Sequence, residues 1–310
     1  MAQPAVPARV PERLVFLGTP DASVPPLRAL VAAGFDLALV VTRPDKRRGR
    51  RGDLSPSPVK AAALELGLPV SHDVDDVLGT GADLGVVVAF GRIIKPHVLA
   101  ALPMVNLHFS LLPRWRGAAP VERAILAGDA RTGVCVMEVV DELDAGGVYR
   151  RAEVPVGDRT ADELRGELVA VGTDLLVDTL RGGLGVAEPQ TGEVTYADKI
   201  TSDDLHLDFS AAADQVAAVV RVGGAWTTFR GHRLKVWGVG APQIDGTGDG
   251  DDAALAPGVL RGPAGGCGPA VGTGSGWLEL VEVQPEGKSR TEARSWWNGA
   301  RPTSAERLGS

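Results

Sequence analysis

Short continuous apolar runs alternate with amphipathic segments through the first half of the chain. Arg13-Leu14-Val15-Phe16-Leu17 is the first run, and it stops at Gly18. Residues 23–33 follow with helical spacing, Ser23 standing at the N-cap and Pro25 in the first turn. Leu37-Ala38-Leu39-Val40-Val41 reads as a second strand and Lys60 to Leu66 as part of a second helix. Leu84 to Phe90 and Met104 to Leu107 are the next two strands. Strands that are apolar throughout need both faces covered, and their alternation with helices makes them parallel. The pattern predicts an α/β domain with a doubly wound, mostly parallel sheet. Val134 to Val140 and Val148 to Val156 are β-rich and separated by a glycine-containing loop, Asp141 to Gly147. Ala161 to Leu180 reads as a long helix closed by Gly182 and Gly183.

The pattern changes near residue 185. Glu188 to Lys199 is polar and extended, as a linker would be. Beyond it come one short helix, Ala211 to Val220, and short strands around 226–229, 233–239, 258–260 and 278–283. Short strands between glycine turns suggest a small β-barrel. The expected domains are a leader at 1–12, an α/β domain at 13–187, a linker at 188–204, a barrel at 205–302 and a tail at 303–310. The stretch 245–252, DGTGDGDD, reads as an exposed acidic loop; the ligand spacing of a calcium-binding EF-hand is missing.

Composition narrows the classes. A length of 310 residues suits about two domains. The 40 glycines lack collagen periodicity, and two cysteines, Cys135 and Cys267, cannot build a disulfide framework or a four-thiolate zinc site. No apolar run approaches the ~18 residues of a membrane span, and residues 1–12 lack a signal-peptide core, so a cytoplasmic protein is expected. The net charge of −7 argues against a general nucleic-acid coat. It is unevenly spread, however. Arg43-Pro44-Asp45-Lys46-Arg47-Arg48-Gly49-Arg50-Arg51 carries +5, which leaves −12 for the remainder. Such a cluster is either a solvated loop or a polyanion contact that gains from counterion release.

The candidate chemistry lies between residues 105 and 120. Alternation puts Asn106, His108 and Ser110 on one side of an extended strand end. In open α/β sheets that end is where ligands bind. A carboxamide and an imidazole there suit a developing oxyanion. The plainer reading is that His108 caps the strand and Asn106 satisfies loop backbone. Asp144, within Asp141-Glu142-Leu143-Asp144-Ala145-Gly146-Gly147, could orient His108 if its loop folds over the sheet edge; otherwise it is simply solvated. The first turn, Gly18-Thr19-Pro20-Asp21, has one glycine where a dinucleotide fingerprint needs three, so no nicotinamide or flavin is expected.

The segment Asn106-Leu107-His108-Phe109-Ser110-Leu111-Leu112-Pro113-Arg114-Trp115-Arg116-Gly117-Ala118-Ala119-Pro120 resembles the signature of the methionyl-tRNA formyltransferase family. Its shorter core, Asn-x-His-x-Ser-Leu-Leu-Pro, is common to enzymes that use 10-formyltetrahydrofolate. Val15 to Pro20, Ser55 to Lys60, Thr195 to Ile200 and Val283 to Lys288 resemble other stretches of the same family, so the likeness spans about residues 13–300. It implies a Rossmann-like formyltransferase domain, an OB-like C-terminal barrel, and formyl transfer to the methionine amine of initiator tRNA. Asn106, His108 and Asp144 match the catalytic trio. Ser110, Leu111, Leu112 and Pro113 match the folate-binding stretch. Phe90, Gly91, Arg92, Ile93 and Ile94 match the segment lining the pterin pocket, and Asp141 and Glu142 belong to the loop that closes over it. Arg43, Lys46, Arg47, Arg48, Arg50 and Arg51 fall in the insertion that approaches the tRNA acceptor end. The folate is a consumed co-substrate; no metal is expected, and a monomer is.

Two departures stand out. The family's Gly-Leu-Asp-Thr-Gly-Asp is here Glu142-Leu143-Asp144-Ala145-Gly146-Gly147, and its Phe-Asn-Pro-Trp-Pro-Gly-Ala is reduced to Val222-Gly223-Gly224-Ala225-Trp226-Thr227. The competing readings are a folate-dependent enzyme acting on an amino-sugar or nucleotide amine, and a non-catalytic RNA-binding protein. The +5 segment and the second domain disfavour the former, because a small substrate needs neither.

Overall fold

The computed structural model describes residues 6, 9–47, 53–243, 255–303 and 306–309. The acidic stretch 245–252, most of the leader, and Arg48, Arg50 and Arg51 therefore lie outside the described residues. The chain divides into two compact units, one of residues 1–121, 130–156 and 163–199, the other of 122–129, 157–162 and 200–310.

In the first unit, β1 (Arg13–Gly18) leads through a 3-10 turn into α1 (Val24–Ala32) and β2 (Asp36–Val41). A two-residue hairpin, β3 (Lys46–Arg47) with β4 (Leu54–Ser55), precedes α2 (Pro58–Glu65) and β5 (Val70–Ser71). Then come β6 (Leu84–Val88), α3 (Pro96–Leu99), β7 (Met104–His108) and β8 (Arg116–Gly117). The chain then enters α4 (Pro120–Leu126), which from residue 122 belongs to the second unit. It returns through β9 (Arg131–Glu138), β10 (Val148–Pro155), α5 (Ala161–Gly182), whose residues 161–162 also belong to the second unit, and β11 (Tyr196–Ala197).

The main sheet has the order β10-β9-β7-β6-β1-β2-β5. Its β7-β6-β1-β2-β5 section is parallel, while β9 and β10 run antiparallel at one edge. This is the mostly parallel, doubly wound sheet that the apolar runs predict. Leu14, Val15, Phe16 and Leu17 of β1 and Val86 and Val88 of β6 are fully buried, as central strands covered on both faces must be. Gly18 is required at the first turn: a Cβ there would lie 2.7 Å from the Phe16 ring and 3.1 Å from the Val88 carbonyl.

Ser23 departs from its expected role. It stands at the N-cap of α1, but its hydroxyl makes no cap bond and instead donates to the Val88 carbonyl at 2.7 Å, fully buried. The true side-chain cap is Ser57, which accepts from the Lys60 amide at 3.0 Å at the start of α2.

The second unit holds α6 (Ala213–Val222), β12 (Trp226–Phe229), β13 (His232–Val239), β14 (Leu260–Arg261), β15 (Ala270–Thr273), β16 (Gly276–Pro285), β17 (Thr291–Glu292) and α7 (Ala293–Ala300). Its strands form an antiparallel sheet, β12-β13-β16-β15-β14, with β17 beside β16. Leu207, Val216, Phe229, Leu234, Leu278 and Trp296 belong to its core, where Phe229 and Trp296 meet edge-on at 5.2 Å. The stretch that departs from the family pattern ends α6: Gly223 and Gly224 take φ of 94° and 78°, and Ala225 is buried. Among the described residues, no helix is long and apolar enough to cross a membrane.

Candidate active site at the end of strand β7

Strand β7 ends at His108, and its alternation gives Met104, Asn106 and His108 one face. Met104 roots that face in an apolar cluster with Val87, Phe90, Val98 and Leu99. On the other face, Leu107 meets α5 at Gly172, where a Cβ would already sit 3.2 Å from the leucine. The two faces thus divide into one committed to packing and one able to carry chemistry.

His108 is 5% exposed, and each ring nitrogen faces an oxygen. Its Nε2 lies 2.9 Å from the Trp115 carbonyl. A carbonyl only accepts, so Nε2 carries the proton and donates. Nδ1 lies 3.6 Å from Oδ2 of Asp144. That Oδ2 also accepts from the Gly117 amide at 2.8 Å. The bond to the carbonyl fixes the ring, and the carboxylate faces its Nδ1 beyond hydrogen-bond distance, forming an ion pair only when the ring is protonated. The side chain of Asn106, half-buried two residues upstream, has no hydrogen-bond partner among the described residues, while its backbone is paired with β6 and β9. Of the two side chains expected at an oxyanion, His108 directs its Nε2 proton at the Trp115 carbonyl and Asn106 carries the uncommitted donor.

Asp144 reaches His108 by an indirect route. In the antiparallel register, Glu138 at the end of β9 faces Val105, whereas His108 faces Cys135. The loop after β9 must fold back along β7 for the carboxylate to meet the imidazole. Gly146 permits the return, since a Cβ there would stand 2.0 Å from the Glu138 carbonyl oxygen. Asp144 itself takes φ +47°, and Trp115 takes +64°. Left-handed backbone costs about 1–2 kcal/mol in a residue with a side chain. Surrounding bonds must over-determine such positions. For Trp115 they are its amide to Thr195 Oγ1 at 2.9 Å and the His108 bond to its carbonyl.

Ser110 is another correction. The strand has ended before it, and its hydroxyl is buried, donating to the Arg114 carbonyl at 2.6 Å. It shapes the turn that carries Trp115 rather than sharing a strand side with Asn106. Leu112 is turned into a cluster with Cys135, Met137 and Val148, while Leu111 and Pro113 are half-buried. Burial pushes the Cys135 thiol above its ordinary range.

Segment 90–94 splits between inside and outside. Phe90 is buried and Ile94 packs against the same apolar cluster. Arg92 lies over the Phe90 ring at 5.5 Å and donates to the His72 carbonyl at 2.8 Å. Ile93 is 91% exposed. Asp141 and Glu142 are exposed too, but Glu142 pairs with Arg116 at 3.1 Å. A cleft of about 450 Å³ opens beside the Asp144 loop, lined by Arg116, Gly117, Leu143, Tyr196 and Lys199 among others.

Of the basic segment, Arg43, Lys46 and Arg47 are described; the last two form β3 and are exposed. The segment leaves β2 at the same end of the parallel sheet at which β7 ends. Its base is fixed by a buried Thr42–Ser57 hydroxyl pair at 2.8 Å and by Asp45–Lys60 at 2.7 Å. The single acidic residue of the segment is thus paired with a lysine outside it.

Residues missed by sequence reasoning are Arg116, Gln190 and Thr195. Arg116 lies inside the signature, yet nothing in the pattern marks it as buried. Gln190 and Thr195 fall in the stretch read as linker. That stretch is tied down: Glu188 bridges to Val148, and β11 pairs with β8.

Comparisons with known proteins agree with this architecture. Residues 12–180 match the formyl transferase family, and residues 199–301 match the formyl transferase C-terminal domain. Methionyl-tRNA formyltransferase of Clavibacter sepedonicus is 44% identical over 304 residues, covering 93% of this chain and 97% of that protein. The protein of the same name from Leifsonia xyli subsp. xyli is 46% identical over 308 residues, with 93% and 97% covered. Among solved structures, an N-formyltransferase from Helicobacter canadensis, in complex with folinic acid and dTDP-3-aminofucose, superposes with a TM-score of 0.64 at 14% identity. That likeness covers 88% of this chain and 98% of the other, and shows a common fold.

Proposed function

The chain belongs to the formyl transferase family, C-terminal domain included, and we propose that it formylates the α-amine of methionine on initiator tRNA, with 10-formyltetrahydrofolate as donor. The observation that carries this reading is the likeness to methionyl-tRNA formyltransferases at 44–46% identity along 93% of the chain. The geometry around β7 supports it, because the required donors and proton carriers converge there.

The amine lone pair attacks the formyl carbon, forming a C–N bond and driving the carbonyl electrons onto oxygen. Asn106 donates to that oxyanion. The nitrogen then sheds a proton, for which the Asp144–His108 pair is the acceptor system. Collapse restores the carbonyl and breaks the bond to the folate nitrogen, which takes up a proton. Ile93, apolar and exposed, gives the folate ring a surface to cover. Arg43, Lys46, Arg47, Arg48, Arg50 and Arg51 offer the phosphates of the RNA a concentrated positive field on an otherwise acidic chain.

The test is formyl transfer from 10-formyltetrahydrofolate to methionyl-initiator tRNA, with elongator tRNA alongside. Formylated initiator tRNA is expected. No product with properly charged tRNA overturns the proposal. Equal transfer to a small amine, indifferent to added tRNA, would replace it with the small-substrate reading.

A further inference from the structure

Asp144 is held by more than its contact with His108. Its own carbonyl and that of Gly146 both accept from Nε2 of Gln190, each at 2.8 Å. The other end of the same carboxamide, Oε1, accepts from Nη2 and Nε of Arg116 at 2.8 and 3.1 Å. The remaining guanidinium contact runs from Nη1 to Glu142 at 3.1 Å. The Arg116 side chain is only 9% exposed. A charge so enclosed needs its hydrogen bonds filled.

The chemistry of the amide fixes its orientation. A guanidinium only donates and carbonyls only accept, so Oε1 must face Arg116 and Nε2 must face the loop. Glutamate would fill the first requirement and fail the second. The bonds also fall where they are needed, because Asp144 is the left-handed residue of the loop and Gly146 the point of closest return to β9. Arg116 is fixed in turn by β8, paired with β11.

We propose that Gln190, gripped by Arg116, is the positioning residue that keeps Asp144 in its working conformation. Its catalytic consequence rests on the function proposed above, but the clamp itself does not. Neither residue needs to touch a substrate for this; the effect passes through the loop backbone. Displacing a reacting group by about 1 Å can cost about 10²-fold in rate.

The test is Gln190→Glu, which keeps the length and the acceptor for Arg116 but turns an acceptor onto two carbonyls. The expected result is a fall of about 10²-fold in kcat. KM for folate and tRNA should stay unchanged. Amide exchange at Gly117, which bonds to the Asp144 carboxylate, should speed up while β6 and β7 keep their protection. In an Asp144→Asn background the same change should cost nothing further, since the two residues act as a unit. Wild-type kcat, an equal loss in both backgrounds, or unaltered Gly117 exchange would overturn the proposal. If the added charge unfolds the loop, Gln190→Met carries the same expectations. Should the wild type formylate no tRNA, the functional reading fails, and Gly117 exchange still decides the clamp.

Discussion

Segments 90–94 and 141–147 both spring from the apolar cluster around Met104, through Phe90 and Ile94 in one case and Val139 in the other. They are built in opposite ways. The first is anchored by apolar side chains at its two ends and presents Ile93 to solvent. The second is anchored by hydrogen bonds to its backbone carbonyls and to the Asp144 carboxylate, and presents a fixed charge. Apolar anchoring tolerates small shifts, since dispersion is not directional; hydrogen bonds are, and hold a group in place. A surface meant to be covered by a ring can be the first kind. A carboxylate that must meet an imidazole has to be the second.

The largest expected effect is on the fixed segment. Asp144→Asn should lower kcat by about 10²–10⁴-fold, the usual worth of a positioned proton carrier. Folate KM should hardly move, and single-turnover kinetics would show a loss of only a few-fold if the carboxylate were merely structural. Asn106→Ala should cost about 10²–10³-fold in kcat as a lost oxyanion donor. Unchanged turnover would remove Asn106 from the mechanism.

The exposed segment should respond in the other parameter. Ile93→Ser should raise KM for the folate by about tenfold, the order expected for losing part of a buried aliphatic contact. Turnover and Tm should stay at wild-type values; a drop in Tm would show that Ile93 is packed after all. Away from both segments, Lys46→Gln with Arg47→Gln should weaken tRNA binding and reduce its salt slope by about one to two. A slope left intact would assign both charges to solvent.

The smallest effect concerns the second unit. Asp204 accepts from Arg123 and from Thr201, and the Arg123 guanidinium foremost holds its carboxyl down at about 2, against an ordinary 3.8. Its stabilisation is fully present above the ordinary value and is lost as pH falls toward 2. Asp204→Asn should therefore flatten acid unfolding below pH 3.8 in circular dichroism. An unaltered acid midpoint would show that this ion pair contributes nothing.

The sheet was largely legible because buried parallel strands must be apolar throughout. The antiparallel pair β9 and β10 was found within a few residues for its β-rich composition. Helix α7 was not read from the sequence; in the structure its Ala293 and Trp296 pack into the second core. Of the candidate site, the residue types and the strand bearing Asn106 and His108 were readable. The fate of Ser23 and Ser110 was not, because a hydroxyl bonds whichever carbonyl the fold brings within reach.

Local periodicity and side-chain chemistry, both properties of the chain in one dimension, determined the alternating elements, the strand carrying the chemistry and the basic segment. Tertiary structure alone decided that His108 spends its Nε2 proton on Trp115, that the loop after β9 doubles back to bring Asp144 within 3.6 Å, and that Gln190 reaches that loop from 46 residues away. Those facts depend on strand register and on which buried polar groups remain unpaired once the backbone has folded. Neither leaves a periodic trace in the sequence, because a hydrogen bond between distant residues is set by where the two ends come to lie.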